Sequence, residues 1–108
     1  MIVSEDQMHA AIAVLTDATG TAAAHYRAMR AENKSKEIFA RLYLSYTGSI
    51  DERKSRAMVN PEYLEARDLE AEALRDLEQR KAELKGADTL TEIWRTDNAN
   101  ARAAERIR

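Results

Sequence analysis

The positions Ala24, Ala28, Ala31, Ser35, Ile38, Leu42 and Ser45 recur at alternating intervals of four and three residues. An α-helix brings such positions onto one stripe, and the 4/3 alternation is that of a helix packed lengthwise on another. Most of the stripe is small, which lets backbones approach closely while each side chain buries little area. The larger Phe39 and Tyr46, beside the seam at its C-terminal end, are expected to supply most of its hydrophobic energy. The spacing predicts a long helix over about 21–46 that needs a partner helix.

The rest of the chain is read from its few breakers, one proline and three glycines in 108 residues. Ser4 with Gln7 forms a capping box, and Met8, Ile12 and Leu15 share a face, predicting a short helix over 5–16. "TDATGT", with Gly20, is expected to interrupt it. Gly48 suits the position just past a helix end. Ser49 with Glu52 opens a short basic helix over about 50–58, and Asn60-Pro61 starts an acidic helix over about 61–85. Ala66, Leu69, Ala73, Leu77 and Leu84 form the predicted inner face of that helix, with Gly86 as its end. A last helix over about 89–106 is capped by Thr89 and Glu92 and carries Leu90, Ile93 and Trp94. The expectation is one all-α domain over 1–108, a long helical hairpin or small bundle with short flanking helices, the acidic helix folded back along the basic one.

Ile38, Phe39, Leu42, Leu69, Leu77, Leu84 and Trp94 are the expected packing and oligomer contacts. An amphipathic hairpin this small leaves apolar surface that one subunit does not cover, so self-association as a homo-oligomer is expected.

Several classes of chemistry find no support. The chain holds no cysteine, so disulfides and thiolate sites are excluded. His9 and His25 lie sixteen residues apart with no metal-binding spacing around them. The glycines form no phosphate loop, and the carboxylates of 61–85 sit among Arg and Lys at the spacings of solvated helix pairs. No enzyme, cofactor or metal site is expected. The first residues carry acids where a signal peptide carries bases, and no run approaches the roughly 18 apolar residues of a membrane span. A cytoplasmic location, or the host cytoplasm for a viral protein, is the expectation.

The net charge of −2 conceals a segregation along the chain. Residues 25–56 hold eight bases against four acids, and residues 57–86 hold eight acids against five bases. At about 100° per residue, Arg27, Arg30, Lys34 and Arg41 fall on one side of the seam, and Arg53, Lys54 and Arg56 follow in "DERKSR". Such a stripe can pair with the acidic helix, as flanking charges do in coiled coils, or it can track phosphates, with Tyr26, Tyr43 and Tyr46 available to stack on bases. The first use gives a helical protein-binding adaptor or assembly factor with no nucleic-acid role. The second gives a non-enzymatic single-stranded-DNA-binding protein.

The tract "KSKEIFARLYLSYTGSIDERKSRAM", with the acidic helix and "IWRTDNANARAAERIR" after it, resembles small phage-encoded helical proteins, and among functional families the UvsY-type recombination mediators. In that family a long basic helix closes with a lysine, an arginine two residues on, a pair of tyrosines and Ser-Gly. Here Arg41 matches the arginine, Tyr46, Thr47 and Gly48 resemble the ending, and Phe39 stands at the lysine. The resemblance implies an oligomeric accessory protein that binds single-stranded DNA and helps load a recombinase against single-strand-binding protein. Charge, spacing and this resemblance together give the expected nucleic-acid contacts: Arg27, Arg30, Lys34, Arg53, Lys54 and Arg56 from the basic tract, and Arg41 and Tyr46 also from the match to the family.

Overall fold

The computed structural model describes residues 2–107. They form four α-helices, α1 (Glu5–Thr16), α2 (Ala18–Ser45), α3 (Ile50–Val59) and α4 (Pro61–Ile107), and no strand among the described residues. The all-α expectation is met. The span read from sequence as one domain comprises two compact units, one made of Met1–Gly20 with Gln79–Arg108 and the other of Thr21–Glu78.

Local capping chemistry sets the helix starts. Ser4 Oγ accepts from the Gln7 amide at 3.1 Å while Gln7 Oε1 accepts from the Ser4 amide at 3.0 Å, the reciprocal box that satisfies two orphan donors. The break after α1 is a single residue, Asp17. Its Oδ1 accepts from the Gly20 amide at 2.9 Å, so α2 begins at Ala18, three residues ahead of the expected start, with Gly20 inside the first turn. Gly48 has φ +118°, a conformation that suits glycine alone, and Ser49 Oγ accepts from the Glu52 amide at 3.2 Å to open α3. Asn60 Oδ1 accepts from the Glu62 amide at 2.9 Å, and Pro61 takes the first helical position of α4.

Within Thr21–Glu78, α2 and the first half of α4 run antiparallel. Ala24 and Ala28 pack with Leu77, Ser35 bonds Glu70, and Ile38 and Leu42 cluster with Ala66. Ala57 of α3 has no exposed surface at all and joins that last cluster, with Phe39, Tyr46 and Tyr63 packed around it. The α2 seam is buried or half-buried from Ala24 through Leu42, as its spacing predicts, and Ser45 lies outside it.

The inner face of α4 departs from the expected one. Leu69, an expected packing residue, is 56% exposed, and Glu70 takes the buried register beside it at 6%. The covered positions include Tyr63, Ala66, Glu70, Ala73 and Leu77 in this unit, and Arg80, Leu84, Ala87, Thr91 and Trp94 in the other, where Leu90, Ile93, Asp97 and Asn98 are half-buried beside them. The positions from Tyr63 to Trp94 named first advance by three and four without a phase change, a seven-residue repeat running straight through Gly86. The expected break at 86–88 is therefore absent, and the two expected helices are one. Glycine costs a helix interior about 1 kcal/mol relative to alanine, which covered positions on both sides of Gly86 outweigh.

In the unit of Met1–Gly20 with Gln79–Arg108, the buried side chains are Val3, Met8, Ala11, Ala87 and Thr91. The Arg80 guanidinium donates to the carbonyls of Val14 at 3.3 Å and Asp17 at 3.0 Å, closing the C-terminal turn of α1, and lies 3.2 Å from Asp17 Oδ2. Leu84 and Trp94, both expected to pack, are half-buried here. No described helix is long and apolar enough to cross a membrane.

Candidate nucleic-acid interface

Helix α2 is the scaffold of the basic stripe, because its seam fixes which residues flank it. Arg30 and Lys34 line a groove on one flank, floored by Ala31, Ile38, Ala66 and Leu69. Arg27 lies one heptad before Lys34 and Arg41 one heptad after it, so all four follow the same edge of the helix. All four are exposed.

Arg41 meets a different fate from the rest. It forms an ion pair across the hairpin with Glu62 of α4, so the opposing helix neutralises it in part. Arg27, Arg30 and Lys34 make no ion pair among the described residues, although Glu62 and Glu65 rim the same groove. The coiled-coil use of the stripe thus holds at Arg41 alone.

The second group of expected contacts lies elsewhere. Lys54 lines a groove on the opposite flank of the seam, with Lys36, Phe39, Met58, Tyr63 and Leu74. The Arg53 guanidinium sits 5.5 Å from the centre of the Tyr43 ring, and its Nε donates to the Gly48 carbonyl at 3.0 Å. Arg56 is exposed at the end of α3. The structure therefore divides the expected bases between two flanks: the stripe of α2 on one, Arg53 and Lys54 on the other.

The tyrosines are equally unequal. Tyr46 is half-buried against the Ile38–Leu42–Ala57 cluster, and its hydroxyl accepts from Asn60 Nδ2 at 2.8 Å. Its ring is committed to the fold and does not face outward as a stacking surface. Tyr43 is stacked on Phe39 with ring centres 6.4 Å apart and carries Arg53 beside it. Tyr63 packs against Phe39 at 5.3 Å. Tyr26 is 55% exposed, with the Arg30 guanidinium 5.8 Å from its ring centre and Arg30 Nη1 donating to its hydroxyl at 3.4 Å. The sequence signal for that pair is the four-residue spacing of an aromatic and a cation on one helix.

No group of three or more metal-ligating side chains occurs among the described residues. Comparison of the chain with protein-family models, with curated proteins and with solved structures returns no match.

Proposed function

We propose that this protein is a non-enzymatic accessory protein that holds single-stranded DNA along the Arg27, Arg30 and Lys34 edge of α2. In the setting that the resemblance to recombination mediators implies, it acts as an oligomer that helps load a recombinase. The observation that carries this reading is the state of those three cations: all are exposed and, among the described residues, none is paired with a carboxylate, on a hairpin whose other helix is rich in acid. Cations left unneutralised along one helix edge release counterions when they meet phosphates, which supplies sequence-independent affinity even to a chain of net negative charge.

The test is fluorescence anisotropy of a labelled single-stranded oligonucleotide at two salt concentrations. Replacing Arg27, Arg30 and Lys34 together with alanine is expected to leave the helical signal intact, to weaken binding to every sequence by a similar factor, and to reduce the salt slope by about 2, at roughly 0.7 per phosphate contact. Absence of binding by the unaltered protein at low salt overturns the reading.

A second reading has its own observation. Leu44, Ile50, Met58 and Val59 are each more than half exposed on α2 and α3, and Leu69 is likewise exposed on α4. Exposed apolar side chains on all three of these helices are surface that a protein-binding adaptor or a contact between copies would cover. A solution mass above that of one chain, with no oligonucleotide binding, selects it.

A further inference from the structure

We propose that Tyr26 is the base-stacking residue of this protein, held for that task by Arg30. This inference rests on the reading of α2 as a strand-binding edge and adds the chemical class of what is recognised, a nucleobase face in addition to the phosphate.

The argument is partly one of elimination. Of four tyrosines in the chain, three have rings engaged by the fold: Tyr43 on Phe39, Tyr63 on Phe39, and Tyr46 on the Ile38–Leu42–Ala57 cluster. Tyr26 alone among them is more than half exposed. It also stands where stacking requires, beside Arg27 and one turn from Arg30, near the cations of that edge that meet no carboxylate among the described residues. A ring that stacks on a base needs one flat face open and little freedom to turn. The Arg30 guanidinium supplies the restraint, lying within cation–π range of the ring and donating to the hydroxyl. Met29, three residues along and 55% exposed, extends the apolar surface beside the ring with a soft, polarisable side chain. An aromatic platform flanked by cations is the arrangement that binds single strands without reading their sequence.

The experiment separates base from phosphate. Binding of the full chain to a thymidine oligomer is compared with binding to an abasic oligomer of equal length and charge, for the unaltered protein, Tyr26→Ala and Tyr26→Phe. The unaltered protein is expected to prefer the thymidine oligomer by roughly 5- to 150-fold, the range that stacking of one base provides. Tyr26→Ala should erase that preference while binding the abasic oligomer as before, and Tyr26→Phe should keep it. Equal binding of both oligomers by the unaltered protein overturns the proposal and leaves the phosphate reading standing. Binding of neither overturns both. Loss of self-association in Tyr26→Ala, with the oligomer preference unchanged, assigns the ring to a contact between copies and likewise overturns the proposal.

Discussion

Ser35 donates a hydrogen bond of 2.8 Å to Glu70 Oε1 in the seam between α2 and α4, and the two residues are only 2% and 6% exposed. Arg67, one turn before Glu70, holds the other carboxylate oxygen. A charged group has thus been placed in the middle of the apolar seam with both oxygens satisfied. Buried carboxylates are costly unless paired and hydrogen-bonded, so this arrangement is sensitive to loss of one partner and tolerant of loss of all three.

Ser35→Ala is accordingly expected to destabilise the protein by about 1.5–3 kcal/mol, the range for a hydrogen bond to a charged group. Adding Glu70→Leu should recover most of that loss, because it removes the buried carboxylate oxygen left without a donor. Urea unfolding of the two variants checks both. A double variant less stable than Ser35→Ala would mean that Glu70 contributes through contacts other than this pair.

Gly86→Ala should stabilise α4 by about 0.5–1 kcal/mol. An added Cβ there meets nothing within 4 Å, so the gain in helix propensity comes without a steric cost. Thermal unfolding followed by circular dichroism reads the shift, and a loss of stability would argue that Gly86 bends or breaks the helix after all.

Gly48→Ala should act in the opposite direction, costing about 1–3 kcal/mol. Its φ of +118° is disfavoured for any L side chain, and a Cβ would also meet the Glu52 carboxylate. Pairing it with Glu52→Ala removes the steric part only, so that most of the cost should persist in the double variant.

Arg80→Ala should loosen α1 selectively. The last turn of that helix loses a donor to two carbonyls and an ion-pair partner at Asp17. Hydrogen exchange at the amides of residues 9–17 is expected to quicken, with those of residues 24–42 unchanged. Uniform quickening along the chain would show that Arg80 supports global stability instead.

The sequence carried much of this fold because α2 announces itself twice, by its 4/3 stripe and by its charge. Ala24, Ala28, Ile38 and Leu42 are buried where that stripe puts them. Helix α4 was harder to read since its covered face includes Glu70, Arg80 and Thr91, which a search for apolar residues passes over in favour of Leu69. The seven-residue spacing of Tyr63, Glu70, Leu77, Leu84 and Thr91 was present in the sequence, but polar residues at two of the five positions hid it. Glycine at 86 then looked like a stop. At the candidate interface the stripe was legible as a helix edge, whereas the commitment of Arg41 to Glu62 and of Tyr46 to Asn60 depends on contacts across the hairpin that no local pattern encodes.

Alanine dominates the buried apolar residues of both units, with Ala11, Ala24, Ala28, Ala57, Ala66 and Ala87 all buried, and among the described residues no large side chain is fully enclosed. The increase in heat capacity on unfolding scales with the apolar area that becomes wet, about 12–15 cal/mol/K per residue in an ordinary globular domain. A core of methyl groups wets less, so the value for this chain should fall below that range. Its free energy of unfolding then traces a broad, shallow curve against temperature, with a gradual melt and little weakening in the cold.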